Sequence, residues 1–521
     1  MKASSLKSRV TRTLMMGLCL MAAPAVQASG VKVLEPRLST VKPTSPELDP
    51  ETPVQRLVVK FHEGTRVRQR GSGMRVMALE RSLDERARMR RHSLFDSKLR
   101  ADLQIALMLL DSLPRMGPPE RLFRQDEFTL AERKSLAEDR SGKEMADLDL
   151  YFEVPLQPGT LARDVNPVVM QLNALDSVEI AYAEAATEPA VFSLGESDGA
   201  SASTTYESLQ GYLDMAPGGI DARYAWTVPG GTGAGVKIVD VEGAWNGSHE
   251  DLPPFFYEGG IQFIDSVWRN HGTAVMGVMA GKANGYGITG IAHGAQVGRE
   301  GIANQSIASA ITRAALAAGR GGVVLVQLQA VGPRTNKSCA CNASQCNEIP
   351  LEFWQANFDA IAQATAAGVH VVEAAGNGSV NLDAPEYRGA FDLSVRDSGA
   401  ILVGAGTATT RAPMCWANHG SRVDVQGWGE KVVTLGYGDL SAAGENRWYT
   451  ASFSGSSSAA PMVVGAVADL QGVANAAGKG PIDPRALREL LRATGTPQAS
   501  STKQIGPLPD LRSAIPQVLA R

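Results

Sequence analysis

After about residue 208 the chain alternates short β-branched runs with alanine-rich segments of helical character. The runs are V-K-I-V-D-V, V-V-L-V-Q-L-Q, H-V-V-E-A-A-G and A-I-L-V-G-A-G, and the segments include S-I-A-S-A-I-T-R-A-A-L-A-A-G. Strands that alternate with helices indicate βαβ units and therefore a parallel sheet flanked by helices. Because sites on such sheets lie at the carboxyl ends of the strands, polar residues just after these runs are the first functional candidates.

The start of the chain has the features of an export signal. Basic residues are followed by an apolar run from Leu14 to Val26 and by the small residue Ala28. This order predicts a signal peptide over residues 1–28, because the run is shorter than the ~20 residues that span a bilayer. We therefore expect a secreted or periplasmic protein with no membrane segment after the signal is removed.

The length of 521 residues predicts at least two folded units after the signal. Residues 29–200 begin with a Pro- and Ser-rich linker, and then carry strand-like runs R-L-V-V-K-F, D-L-D-L-Y-F-E-V and V-E-I-A-Y-A between helical segments. That order is typical of a small α+β unit. A Ser/Gly/Ala-rich stretch near 193–208 marks a boundary, so residues 201–521 form the α/β unit. The helical segment 75–145 receives no role from the sequence.

Composition narrows the partners and the compartment. The net charge of −4 gives no reason to expect nucleic acid or an anionic membrane surface as a partner. Cys19 lies in the predicted signal, which leaves four cysteines: Cys339, Cys341, Cys346 and Cys415. An even number in an exported chain favours disulfides, with three pairings open. No standard zinc spacing is present.

Three residues of the α/β unit have positions suited to acyl-transfer chemistry. Asp240 ends a strand-like run, where a partly buried carboxylate can hold an imidazole. His271 opens an apolar helix-like segment that can aim its ring. Ser457 precedes A-A-P, where Pro461 suits a first helical turn and backbone N–H groups can face an oxyanion. Each residue also has a purely structural interpretation: a loop acid, a neighbour of a helix cap and a serine N-cap.

Taken together, these segments resemble the subtilisin-like serine peptidases. The order Asp, His, Ser is the order of that family, and residues 271–273 match its H-G-T motif. Its G-T-S-M-A-A-P motif reads G-S-S-S-A-A-P here, which places the nucleophile at Ser457. Ala374, Ala375, Gly376 and Asn377 match its A-A-G-N motif. The resemblance covers about residues 205–500. No histidine follows Ser457, which excludes the Ser…Asp…His order of the α/β-hydrolase esterases.

The resemblance implies an α/β, subtilisin-like catalytic domain with a mainly parallel sheet, preceded by a small α+β (ferredoxin-like) propeptide domain. It implies a secreted serine endopeptidase in which Ser457 attacks, His271 is the general base, Asp240 orients the histidine and Asn377 binds the oxyanion. The substrates would be proteins or peptides, and no cofactor is required for the chemistry. The chain would be an autoprocessed proenzyme whose propeptide is its intramolecular inhibitor.

Two alternatives keep the same fold. One is a catalytically impaired, protein-binding member of the family. The other is an esterase that uses the same triad. The residues implied to bind substrate are Gln329, Ala330, Val331, Ala374, Ala375 and Gly376.

The chain departs from the family pattern at several positions. Asp240 is followed by Val241 and Glu242, where the family usually has a small residue and glycine, and the stretch from Asp240 to H-E-D-L is slightly longer than usual. Val331 stands where the family has a glycine, so we expect a narrowed or reshaped primary pocket. The cysteine segment 339–346 follows and is expected to rim the cleft as an inserted loop.

A calcium ion is a further expectation from the resemblance. Asp251 and Asn284 fall where family members have ligands of a structural calcium site. Oxygen ligands suit calcium. Two positions alone do not define a site, and solvated loop residues are the competing interpretation.

Overall fold

The computed structural model describes residues 34–71, 73–189, 204–335, 339 and 341–521. The predicted signal peptide and most of the predicted boundary stretch near 193–208 lie outside these residues.

The strands are β1 Val54–Phe61, β2 Val67–Arg70, β3 Gly73–Val76, β4 Glu120–Arg121, β5 Tyr151–Pro155, β6 Val178–Ala185, β7 Thr187–Pro189, β8 Lys237–Glu242, β9 Tyr257–Ile261, β10 Gln296–Ile302, β11 Val323–Val326, β12 Leu328–Val331, β13 Glu348–Pro350, β14 His370–Ala374, β15 Ile401–Gly406, β16 Val425–Trp428, β17 Val432–Leu435, β18 Ser441–Ala442 and β19 Trp448–Phe453. The helices are α1 Leu83–Arg91, α2 Asp96–Asp111, α3 Glu127–Ser141, α4 Ala162–Asn173, α5 Ala222–Ala225, α6 Ser266–Ala280, α7 Ile307–Ala318, α8 Gln355–Ala366, α9 Ser456–Ala476, α10 Pro484–Thr494 and α11 Leu511–Ala520.

A seven-stranded sheet in the order β16-β15-β14-β11-β8-β10-β9 organises the α/β unit. All of its strand pairs are parallel, which confirms the predicted fold class. Successive side chains of a strand point to opposite faces. On the central strand β8, Ile238 therefore joins the core beneath α6, α9 and α11, while Val239 and Val241 join the core beneath α7 and α8. Both faces of the sheet are buried, as parallel sheets require.

The N-terminal unit is built on an antiparallel sheet in the order β4-β5-β1-β6. Alternate residues of β1 serve two cores: Leu57 and Val59 pack with α2 and α4, whereas Val58 packs in the core that α7 and α8 share. The sheet thus has one face on its own helices and the other on the α/β unit. The segment 75–145 contains the end of β3, the short strand β4 and the three helices α1, α2 and α3.

Buried charges join the two units. Arg37 pairs with Glu179 at 2.6 Å and with Asp359 of α8 at 3.0 Å. The Tyr151 hydroxyl donates to Asp359 at 2.6 Å. Buried ion pairs contribute to specificity of docking more than to its free energy, because the desolvation cost offsets the Coulomb gain. In the described ranges no helix is long and apolar enough to cross a membrane.

Candidate active site

His271 is held by a carboxylate at the carboxyl end of the central strand. Glu242 is the last residue of β8, and its Oε2 lies 2.6 Å from His271 Nδ1. Both side chains are fully buried. A carboxylate at Nδ1 fixes the tautomer, so that Nε2 is left as the proton acceptor. His271 Nε2 is buried and makes no hydrogen bond within the described part of the chain.

The structure brings Glu242, rather than the predicted Asp240, to the imidazole. Asp240 Oδ2 instead accepts a hydrogen bond from Trp245 Nε1 at 2.9 Å. Burial and then the neighbouring charge of Glu242 raise the pKa of Asp240 well above its ordinary value. Burial thus favours the neutral form of Asp240, and the carboxyl that contacts the histidine is that of Glu242.

The geometry of β8 explains why the sequence pointed to Asp240 while the structure places Glu242 at the histidine. Residues 240 and 242 are two apart, so both point to the face of β8 that carries α6 and α9. The sequence did carry a signal, because the stretch from Asp240 to His249 was longer than the family pattern. Starting that stretch at Glu242 shortens it by two residues.

Ser457 is the second residue of α9 and is fully buried. Its two neighbours have occupied hydroxyls: Ser458 Oγ donates to the Trp428 carbonyl at 2.7 Å, and Ser456 Oγ accepts from Gly376 N at 3.2 Å. Ser457 Oγ makes no hydrogen bond to any described residue. Helices α6 and α9, which carry His271 and Ser457, pack directly on each other.

Two helix starts differ from the predictions. Helix α6 begins at Ser266 after the N-cap Asp265, so His271 lies in its second turn. Helix α9 begins at Ser456, so Pro461 is interior rather than in the first turn. Proline has no N–H, which frees the carbonyl four residues earlier. That carbonyl belongs to Ser457 and accepts a hydrogen bond from Gln327 Nε2, which ties the serine to the end of β11.

Asn377 connects the start of α9 to strand β12, which we call the edge strand because it carries the predicted substrate-binding residues 329–331. Its Oδ1 accepts from Ser456 N at 2.9 Å, and its backbone N–H donates to Gln329 Oε1 at 2.8 Å. Gly376, which precedes Asn377, has a φ of +89°, and a Cβ at this position would lie 2.8 Å from Asn418 Nδ2. Glycine is therefore required by both the backbone and the space. Ala374 ends β14, and the Ala375 carbonyl accepts from Asn418 Nδ2 at 2.7 Å.

Gln345 is a site residue that the sequence did not indicate. Its Oε1 accepts a hydrogen bond from Asn377 Nδ2 at 3.1 Å. Gln345 thus engages the same N–H group that is predicted to bind the oxyanion. Its Nε2 donates to the Pro189 carbonyl at 3.0 Å. Gln345 belongs to the inserted segment between β12 and β13, where Cys339 pairs with Cys346 and Cys341 with Cys415. The sequence left this pairing open.

The edge strand β12 is occupied on both sides. It pairs antiparallel with β7 of the N-terminal unit, Gln329 opposite Glu188 and Ala330 opposite Thr187. On its other side Val331 lies opposite Glu348 of β13. The inserted segment and the end of the N-terminal unit therefore both reach the edge strand beside Asn377.

The predicted calcium residues lie together. Asn284 Nδ2 donates to Asp251 Oδ1 at 2.7 Å, and Ile288 N donates to Asp251 Oδ2 at 2.9 Å. Burial raises the pKa of Asp251 to about 6. Protein donors thus face both oxygens of Asp251. Across the described residues no group of three or more His, Cys, Asp or Glu side chains could hold a metal ion.

This geometry defines a parallel α/β domain in which a carboxylate-bound histidine and a serine lie on two packed helices. Residues 257–506 match the model of the subtilase family, and this part of the chain is a subtilase domain. The match begins after both Asp240 and Glu242.

Two individual proteins are similar to this chain. An extracellular protease of Xanthomonas campestris pv. campestris is 29% identical over 277 residues, which are 52% of this chain and 42% of that protein. The crystal structure of fervidolysin from Fervidobacterium pennivorans, a keratinolytic enzyme related to subtilisin, aligns with a TM-score of 0.53 at 15% identity. That alignment covers 93% of this chain and 64% of fervidolysin. At this identity it shows the fold alone. The chain spans less than two thirds of either protein.

Proposed function

We propose that this protein is a secreted serine endopeptidase that acts through Ser457, His271 and Glu242. The observation that carries the proposal is the buried 2.6 Å contact between His271 Nδ1 and Glu242. It supports an imidazole whose Nε2 is kept free to take a proton. The match to the subtilase family and the Ser457 hydroxyl, which makes no hydrogen bond to a described residue, support the same assignment.

The reaction follows from these groups. His271 Nε2 takes the proton of Ser457 Oγ while Oγ bonds to the peptide carbonyl carbon. The imidazolium, stabilised by Glu242, then gives this proton to the leaving amine, and an acyl-enzyme remains. Water repeats the sequence and releases the acid. Asn377 Nδ2 donates to the oxyanion, so Gln345 Oε1 must yield that hydrogen bond to the substrate.

The N-terminal unit is proposed to be the intramolecular inhibitor of this enzyme. Its last described strand, β7, lies along β12 as an added antiparallel strand, which is the way peptides bind sheet edges. Gln345 holds the Pro189 carbonyl next to Asn377. Removal of this unit after autoprocessing would open the edge strand to substrate. Calcium remains a proposal for a structural role at Asp251 and Asn284.

A comparison of two substrates tests the proposed function. We expect the matured wild type to hydrolyse casein, and Ser457→Ala to lose this activity. A p-nitrophenyl ester separates the esterase alternative, because a small ester does not need the edge strand. Hydrolysis of the ester without hydrolysis of casein would contradict an endopeptidase. The impaired, protein-binding alternative is favoured by Gln345 on Asn377, and it predicts hydrolysis of neither.

The contact between β7 and the edge strand is predicted to weaken as pH rises. Burial, and then the neighbouring Glu188 carboxyl, raise the pKa of Glu348 to about 9. A group whose pKa is higher in the bound state stabilises binding at low pH, and this contribution is lost as pH rises towards the bound-state pKa. We expect release of the cleaved N-terminal unit, followed by size-exclusion chromatography, to increase from pH 6 to pH 9.

The control for this prediction is Glu188→Gln, which removes the neighbouring charge and keeps the shape. Its release should depend less on pH. Equal release of the wild-type unit at both pH values would contradict a role for Glu348 in holding the N-terminal unit.

A further inference from the structure

The buried carboxyl group of Glu348 and the side chain of Glu188 lie on the same face of the three-stranded sheet β13-β12-β7. Residues opposite each other in an antiparallel pair share a face, and so do residues two apart on one strand. Glu188 lies opposite Gln329, and Glu348 lies opposite Val331. The Glu188 and Glu348 side chains therefore project from one face, on either side of β12.

Glu348 lacks a cationic partner within the described ranges. It is 2% exposed, and its Oε2 makes no hydrogen bond to a described residue. Its backbone is fixed, because Asn418 Nδ2 donates to its carbonyl at 2.8 Å and its N–H donates to the Gln345 carbonyl. A buried acceptor without a donor is unfavourable until a ligand supplies one.

The segment now bound carries a mismatched side chain. The Glu188 carboxyl is within hydrogen-bonding reach of Glu348, and their proximity contributes to the raised pKa of Glu348. A second carboxyl beside a buried one disfavours ionisation of the buried acid and offers it no opposite charge. A cationic side chain in the same place would supply a donor and an opposite charge.

We propose that Glu348 is a specificity-determining residue that selects lysine or arginine at the substrate position opposite Gln329. This inference rests on the proposed peptidase function and on β7 occupying the path of a substrate. In the precursor, Glu188 places a second carboxyl rather than a cation beside Glu348, so the bound segment is a poor match for this position. Glu348 would therefore favour binding of a substrate with a cationic side chain over binding of the inhibitor segment, which carries Glu188.

Peptide hydrolysis by the matured enzyme at pH 8 tests the inference. One lysine is moved through the four residues before the cleaved bond, and each peptide has matched norleucine and glutamate versions. We expect one position where lysine exceeds norleucine in kcat/KM by about 10- to 100-fold, the effect of one charge-assisted hydrogen bond. In Glu348→Gln this ratio should fall to about one. The matched control Glu489→Gln changes an exposed helix residue and should keep the wild-type ratio.

The outcomes separate this inference from the proposed function. Cleavage of the peptides without a lysine preference, or with one that persists in Glu348→Gln, would overturn the role of Glu348 alone. Failure to cleave any peptide, with no labelling of Ser457 by a fluorophosphonate, would overturn the peptidase function itself.

A second variant keeps the inference testable if Glu348→Gln does not fold. Glu188→Lys in the full chain places a cation beside Glu348, so the N-terminal unit should be released more slowly than in the wild type at pH 8. Release at the same rate or faster would contradict the selection of a cation.

Discussion

Glu242→Gln is expected to lower kcat by about 10⁴-fold, the loss seen when the acid of a serine-peptidase triad is replaced by its amide. The amide keeps the size of the side chain but can offer an N–H to Nδ1, which favours the wrong tautomer of His271. It also removes the charge that stabilises the imidazolium. Hydrolysis of a chromogenic peptide, with KM determined separately, measures this loss.

Asp240→Asn is the matched control for that substitution. Burial raises the pKa of Asp240 well above its ordinary value, and its Oδ2 accepts a hydrogen bond from the Trp245 indole. An asparagine oxygen can accept the same hydrogen bond, so kcat should change by less than about tenfold, well short of the effect at the triad position. A large loss in Asp240→Asn with a small loss in Glu242→Gln would return the orienting role to Asp240.

Ser457→Ala is expected to stop both turnover and maturation. Loss of the nucleophile of a serine peptidase lowers kcat by about 10⁶-fold, and an intramolecular cleavage by the same serine would stop with it. Gel mass and N-terminal sequencing should show the variant near full length without residues 1–28. The wild type should lose a further ~20 kDa, the size of one small domain.

Ser458→Ala is the control for this variant. The Ser458 hydroxyl lies within hydrogen-bonding distance of the backbone carbonyls of Trp428 and Gly455, so its loss should leave maturation intact. Identical processing of the wild type and Ser457→Ala would mean that another protease cleaves the chain or that the enzyme is inactive.

The parallel sheet could be predicted because the alternation of strands and helices repeats along the chain. The positions of Ser457 and Asn377 relative to the sheet followed from motifs that lie directly after strands or at a helix start. The helix start before His271 also had a local signal, since Asp265 is a favoured N-cap residue.

Other features depended on contacts between distant residues. Asp240 and Glu242 lie on the same face of β8, so only their side-chain hydrogen bonds show which of the two contacts His271. Gln345 reaches Asn377 through a segment whose path is set by two cysteine pairs. The pairing of β7 with β12 joins residues about 140 positions apart, and no local pattern encodes that register.

Fluorophosphonate labelling of the matured enzyme, with the labelled residue identified by mass spectrometry, tests the central claim most directly. The reagent reacts with a serine only when a neighbouring base activates it, and therefore reports the serine and its histidine without a substrate. We predict a single label on Ser457 that is fast in Asp240→Asn and slow in Glu242→Gln. A label on Ser456 or Ser458, no label at all, or equal labelling of both acid variants would contradict a Ser457–His271–Glu242 triad.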